Sequence, residues 1–248
     1  MNTVIDIGNT RVKAGFFDGN KLVNSIVFNT QSWQNLYSAF SGKSLGNCIV
    51  SSTVSVPDHV LNYFKAKADV FIYLDENTAL PINNIYGTKN TLGKDRIALA
   101  VGAAYMFPQE NALVINCGTC VTYNILNSSN EFCGGSISPG LRMRLQAMHT
   151  FTAQLPHPEI DEKSPIKVVG NSTSESLLSG AVNGLIFEMQ GFIANIAAEY
   201  FPLQVIISGG DSRYLAEQFH IYQTQKIVTE PDLALIGLNQ ILQFNGKS

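Results

Sequence analysis

The sequence predicts an α/β protein of two similar lobes, each with a mixed sheet and flanking helices. Three observations carry this. Apolar strands alternate with helical stretches along the chain, as in layered α/β folds. A strand–glycine turn–strand–turn–strand plan at Thr3–Thr10 and beyond returns from Leu113, an internal duplication. Finally, 45% hydrophobic against 14% charged residues permits a sizeable core and opposes disorder. The duplication divides the 248 residues at 1–110 and 111–248.

The first lobe opens with strands at Val4–Ile7 and Arg11–Phe17, joined through Gly8-Asn9-Thr10. Asp18-Gly19-Asn20 is a hairpin turn because Asp-Gly tolerates positive φ, and Lys21–Phe28 completes an antiparallel meander. A helix is expected over Gln31–Ser41, a buried strand at Asn47–Ser52, a helix over Asp58–Lys67 and a strand at Val70–Leu74. Polar Thr78–Leu92 reads as a surface loop, and a helix runs from Lys94 through Ala104 with Pro108 past its end. The second lobe repeats the meander at Leu113–Thr119, Val121–Leu126 and Glu131–Ile137. Pro139-Gly140 opens a helix over Leu141–Leu155, followed by a loop from Pro156 to Pro165. Ser172-Thr-Ser-Glu175 is a capping box for a long helix, Glu175–Tyr200. Gln204–Ile207 is a buried strand ending in Ser208-Gly209-Gly210-Asp211. Thr229-Glu-Pro231-Asp232 caps a last helix, with Pro231 near its first turn.

Charge narrows the partners. Sixteen basic and nineteen acidic residues leave a net −3, so no cationic excess points to nucleic acid or an anionic membrane. A polyanion would have to be held by backbone dipoles and a metal. The opening MNTVIDIGNT lacks the basic region and apolar run of a secretory signal, and Ile97–Phe107 is about half a membrane span. Four cysteines in a chain this long do not make a disulfide scaffold. A cytoplasmic protein is expected.

Three glycine turns carry the chemistry. Asp6-x-Gly8-x-Thr10 and Gly118-Thr119 each follow a strand within a hairpin, where glycine lets backbone amides approach an anion and threonine adds a donor. Asp6 at its strand end suits magnesium held through water. Ser208-Gly209-Gly210 lets the chain pass close to a flat ligand such as adenine. Each turn alone is ordinary; the set, on a duplicated plan, predicts an ATP-dependent phosphotransferase acting on the alcohol of a small molecule. Two apparent Walker loops fail, because Tyr37 and Ile241 stand where the first glycine is needed. Cys117-x-x-Cys120 with Cys133 and His149 could suggest zinc, but the pair brackets a turn and reads better as small buried fillers. On the acceptor side, Asp95 at a helix start is either a helix-stabilising carboxylate or a base. Beside it, Arg96 supplies a planar fork fitting a carboxylate ligand.

The turns resemble those of the actin-like (ribonuclease H-like) superfamily, where ATP lies between two related lobes. More specifically, the chain resembles type III pantothenate kinases along nearly its whole length. The matching stretches are Asp6-Ile-Gly-Asn-Thr-Arg-Val-Lys13, Tyr86-Gly87, Gly93-Lys-Asp-Arg96, Gly118-Thr119, Gly134-Gly-Ser-Ile-Ser-Pro-Gly140-Leu-Arg-Met143, Thr150–Pro156, Asn171-Ser-Thr173 and Ser208-Gly-Gly-Asp211. The resemblance implies transfer of the ATP γ-phosphoryl group to the primary hydroxyl of pantothenate, the first step toward coenzyme A. It makes Asp95 the proton acceptor, with Tyr86, Gly93, Lys94, Asp95 and Arg96 around pantothenate. Asp6, Ile7, Gly8, Asn9, Thr10, Arg11, Val12, Lys13 and Thr119 would hold ATP, with magnesium reached from Asp6. It also implies a homodimer in which Thr173 reaches the neighbour's substrate, and a monovalent cation, potassium or ammonium. The apolar positions from Leu177 to Ala197 cover more than one helix stripe, so that helix is buried on several sides, by its own lobe or by a partner subunit. One departure bears on the cation: Asn116 replaces the family's usual Asp, keeping a carbonyl oxygen but no charge, and Asn124 replaces another. The alternatives left open are a different small-molecule kinase of the superfamily and a nucleotide-sensing regulator without catalysis.

Overall fold

The computed structural model describes residues 1–28, 33–220 and 227–246. Up to residue 109 the elements are β1 (Asn2–Ile7), β2 (Val12–Asp18), β3 (Lys21–Phe28), α1 (Trp33–Phe40), β4 (Gly46–Ser52), α2 (Asp58–Lys65), β5 (Ala68–Tyr73), β6 (Asn83–Asn84) and α3 (Lys94–Met106). The remainder holds β7 (Asn111–Cys117), β8 (Cys120–Leu126), β9 (Glu131–Pro139), α4 (Leu141–Thr150), α5 (Thr173–Glu199), β10 (Leu203–Ser208), α6 (Ser212–His220), β11 (Ile227–Thr229) and α7 (Leu233–Asn245).

These elements form two compact units. The first comprises Met1–Gln109, Ser128–Gly134 and Asp232–Ser248; the second comprises Glu110–Asn127 and Gly135–Pro231. In the first, the strand order is β3-β2-β1-β4-β5, with β1 antiparallel to β2 and parallel to β4, which in turn is parallel to β5. The second repeats the plan: β9, β8, β7, β10 and β11 follow in order, with β7 antiparallel to β8 and parallel to β10. The duplication read from the meanders is therefore a duplication of topology. Local chemistry explains the hairpins, since Gly19 takes φ +57 between β2 and β3 and Asn130 takes φ +58 before β9.

Each unit has its own core. In the first, Ile5, Ile7, Val12 and Val50 pack with Leu36 and Phe40 of α1 and Phe64 of α2. In the second, Leu113, Ile115, Val205 and Ile207 pack with Leu145 of α4, five buried apolar residues of α5 from Val182 to Ile193, and Phe219 of α6.

The expected boundary at 110 misplaces the C-terminal segment. Asp232–Ser248 belongs to the first unit because α7 packs backbone-close against α3. A Cβ at Gly237 would lie 1.8 Å from the Ala98 carbonyl oxygen, and one at Gly102 would lie 2.5 Å from that of Leu233. Smaller differences have local causes. The stretch Thr78–Leu92 is not only loop, because β6 pairs with Glu131 and Phe132. The helix expected to reach Leu155 stops at Thr150; Thr152 Oγ1 donates to the Met148 carbonyl at 2.7 Å, competing with the backbone ladder. Asp232 occupies the N-cap position of α7 without a side-chain capping bond, so Pro231 precedes the helix rather than lying in its first turn. The three-residue β11 gave no periodic signal in advance. In the first expected helix, Gln31 and Ser32 lie outside the described residues.

Candidate active site

In the first unit, β1 runs into the Gly8–Arg11 turn, closed by the Gly8 amide donating to the Arg11 carbonyl at 2.9 Å. A Cβ at Gly8 would meet that oxygen at 3.2 Å, so glycine keeps the turn tight. Asn9, Thr10 and Arg11 are exposed beyond it, while Ile7 and Val12 are buried at its base. Asp6 stands opposite Lys13 on β2 and opposite Ser51 on β4. Part of Asp6 reaches the surface, but its Oδ1 is enclosed without a hydrogen-bond partner, as is the Ser51 hydroxyl. Burial, then the nearby Asp95 carboxylate, pushes the Asp6 pKa up to about 7; Lys13 and the Ser51 side chain pull the other way. Lys13 Nζ lies 3.7 Å from Asp232, and both are partly buried.

Asp95 lies in the first turn of α3, behind Gly93 as N-cap. A Cβ at Gly93 would sit 2.5 Å from Asp95 Oδ1, so the carboxylate folds back over a position only glycine leaves open. Burial holds its pKa above the usual carboxylate range, against the lowering by the Arg96 amide and charge. Arg96 is 4% exposed, and its guanidinium carbon lies 5.5 Å from the ring centres of both Tyr86 and Phe132. Tyr86 is anchored by its amide, which donates to Asn84 Oδ1 at 3.1 Å. Gly134, at φ +117, makes room for the Tyr86 ring, whose Cδ2 would be 3.2 Å from a Cβ there. Lys94 turns toward Glu76 at 3.6 Å and lines a cavity of about 210 Å³ with Asp75, Asn84 and Lys89.

In the second unit, Gly118-Thr119 links β7 to β8, with the Gly118 amide donating to the Cys120 carbonyl at 3.1 Å. The Asp211 amide donates to the Cys117 carbonyl at 3.1 Å, which ties the Gly209-Gly210 turn to the end of β7. Gly209 takes φ +94, and a Cβ there would lie 2.5 Å from the Cys117 carbonyl oxygen and 2.7 Å from Asn116 Oδ1. Two neutral oxygens therefore face this turn. Asn124 is buried and donates to Thr122 Oγ1 at 2.9 Å. Thr173 opens α5 and is exposed. Ser172 caps that helix, accepting from the Glu175 amide at 3.2 Å, while Glu175 reaches back to the Asn171 amide at 2.8 Å, one residue beyond the expected box.

The expected residues thus fall into groups by unit: Asp6, Lys13 and Asp95; Tyr86 and Arg96; and Asn116, Gly118 and Thr119. Sequence reasoning missed Ser51, Phe132 and Asp232. Phe132 had one signal: it alternates with Gly134 along β9, an aromatic and a glycine on one strand face. Asp232 had none, because its partner lies on β2.

Each part suits phosphoryl transfer: the glycine turns of each unit can approach phosphates, and in the first unit a desolvated carboxylate is followed by an arginine beside two aromatic rings. Comparisons with known proteins agree. Residues 2–195 match the family description of type III pantothenate kinase. The chain is 39% identical to a type III pantothenate kinase of Christiangramia forsetii, over 99% of each chain. Among solved structures it is similar in fold to a protein of Campylobacter jejuni described as a Baf family transcriptional activator, with TM-score 0.64, 19% identity and coverage of 99% and 100%. A ROK family glucokinase of Streptomyces griseus, solved with glucose and AMPPNP, shares the fold at TM-score 0.55 and 11% identity, covering 100% of this chain and 99% of its own.

Proposed function

Because the chain belongs to the type III pantothenate kinase family, we propose the following division of labour among its residues. The reaction is ATP-dependent phosphorylation of pantothenate at its primary hydroxyl, giving 4'-phosphopantothenate for coenzyme A biosynthesis. Asp95 accepts the hydroxyl proton as the oxygen attacks the γ-phosphorus. Arg96 receives the pantothenate carboxylate, with Tyr86, Gly93 and Lys94 completing the acceptor site. The observation that carries this reading is the pairing of the desolvated Asp95 with a buried guanidinium held 5.5 Å from the ring centres of both Tyr86 and Phe132. A carboxylate held above its usual range accepts a proton more readily near neutrality, and a planar guanidinium fork binds a carboxylate in one geometry.

The turn from Asp6 to Lys13 and the turn at Thr119 take the ATP phosphates. The enclosed Oδ1 of Asp6 is an oxygen donor of the kind magnesium uses, directly or through water, so these residues fit that ion. When bound, magnesium supplies charge neutralisation on the phosphates. Positioning by the turn amides does the rest, since phosphoryl transfer asks little covalent chemistry of the protein. Asn116 Oδ1 and the Cys117 carbonyl fit a monovalent cation with neutral oxygens alone, which favours a weak site for potassium or ammonium.

The enzyme works as a homodimer built on α5, with Thr173 contributing to the neighbouring site. This helix is the one among the described residues long and apolar enough to cross a membrane, yet half of its apolar window is buried within the protein. Gly180, Gly184 and Gly191 have no atom within 4 Å of a would-be Cβ, and Phe187 is 46% exposed, leaving a face that a second copy can cover. The cytoplasm, where its four cysteines would stay as thiols, is its compartment.

The test is ATP-dependent phosphorylation across a panel of small alcohols, pantothenate included, for wild type and Asp95→Asn. The variant keeps the shape and loses the base, so kcat should fall by about 10²–10⁴ with the fold intact. Near-wild-type turnover would remove Asp95 from the mechanism.

A further inference from the structure

We propose that Glu188, on α5, is a positioning residue that fixes the Gly118-Thr119 turn through Ser138, Arg144 and the Pro139-Gly140 link. The proposal rests on the reading of that turn as an ATP phosphate contact. It begins at Gly140, which packs so close to the turn that a Cβ would lie 2.3 Å from the Gly118 carbonyl oxygen and 2.4 Å from that of Thr119. The Gly140 amide donates to the Thr119 carbonyl at 3.1 Å. Wherever Gly140 sits, the turn follows.

The residues flanking Gly140 are themselves tied down. Arg144 Nε donates to the Pro139 carbonyl at 2.9 Å, and its other arm forms an ion pair with Glu188 Oε2. Ser138 Oγ donates to Glu188 Oε1 at 2.6 Å. The Tyr123 hydroxyl donates to the same oxygen at 2.8 Å, and Tyr123 sits on β8, the strand leaving the turn. The Tyr123 ring stacks on Phe192 of α5 at 3.9 Å between centroids. One carboxylate therefore collects the strand after the turn, the strand end before Gly140 and the first turns of α4. These partners also hold the Glu188 pKa below its ordinary range, against the effect of burial, so the carboxylate is ionised at neutral pH.

A partly buried ion pair contributes little net stability compared with apolar packing of the same volume, and its best-attested return is a single defined geometry. Here the geometry defined is that of backbone amides facing a phosphate site, where a displacement of about 1 Å costs on the order of a hundredfold.

The experiment measures kcat, both Michaelis constants and melting temperature for Glu188→Ala, Glu188→Gln, Arg144→Ala, the Glu188→Ala/Arg144→Ala double variant and Thr119→Ala. Glu188→Ala should raise KM for ATP about tenfold or more, leaving KM for pantothenate within about twofold of wild type. Glu188→Gln keeps an acceptor for Ser138 and Tyr123 and should recover part of that loss. The double variant should be no worse than the poorer single one, since both act through one link. Overturning the proposal takes folded Glu188 variants with wild-type KM for ATP, or losses of kcat that only track the folded fraction. Thr119→Ala separates the two readings. If it leaves KM for ATP unchanged, the phosphate assignment of the turn falls and this proposal with it; if it raises that KM while the Glu188 variants do not, only the positioning role falls.

Discussion

Asp6→Asn should stabilise the nucleotide-free protein above neutral pH while abolishing its kinase activity. Asp6 Oδ1 is enclosed without a hydrogen-bond partner, and Asp95 lies close enough to repel it. The result is a pKa raised from 3.8 to about 7. At about 1.4 kcal/mol per pKa unit, ionising Asp6 in the folded protein costs roughly 4 kcal/mol more than in the unfolded chain. The sign follows from proton binding. Between the two pKa values the folded state holds the proton and the unfolded state does not, so stability is fully present below about pH 4 and is lost as pH rises through 7. Asparagine keeps the shape without the charge and removes this slope. Taking about half the full value as realised gives about 2 kcal/mol at pH 8, or roughly 4–8 °C in Tm for a chain of this size. The assay is thermal unfolding by circular dichroism at pH 5, 6, 7 and 8, without nucleotide or metal. The variant should already melt above wild type at pH 5, with the gap widening to pH 7 and levelling off by pH 8. Adding magnesium and ATP should stabilise wild type selectively and narrow the gap. An unchanged Tm difference across the series, or a lower Tm for the variant at pH 8, would refute the reading that burial and Asp95 outweigh Lys13 at this carboxylate.

Three further outcomes are expected. Arg96→Lys keeps the charge but loses the planar fork beside Tyr86 and Phe132, so steady-state kinetics should show a larger rise in KM for pantothenate than for ATP; equal rises would contradict the assignment. Asn116→Asp adds charge beside the Cys117 carbonyl, and titrating activity against potassium should show half-activation at a lower concentration than in wild type. Coincident curves would mean that the cation binds elsewhere or is not required. Mixing Asp95→Asn with Thr173→Arg subunits should restore roughly a quarter of wild-type activity if sites are shared, subunits exchange at random and sites act independently. No recovery after demonstrated exchange, or a monomer by light scattering, would show that each chain works alone.

What the sequence determined by itself was what is written locally. The meander β1–β3 and its repeat β7–β9 follow from alternating apolar residues and from turns at Asp18-Gly19 and Asn127–Asn130, all within a few residues of one another. The start of α5 was legible for the same reason, because Ser172 and Glu175 cap within one turn. The candidate residues Asp6, Asp95, Arg96 and Thr119 could be named because each sits in a short glycine-bearing stretch that matches a family. What only the tertiary structure decided depends on residues far apart in the chain. The attachment of α7 to the first unit rests on Gly102 and Gly237, glycines that look like defects in two helices until their backbones meet. The raised pKa of Asp6 needs Asp95 from another element, and the setting of Arg96 needs Phe132 from β9, more than thirty residues further along the chain. Glu188 is one polar residue in an apolar helix until Tyr123, Ser138 and Arg144 converge on it. Burial and charge proximity are properties of a packed neighbourhood, and no window of sequence contains the neighbours.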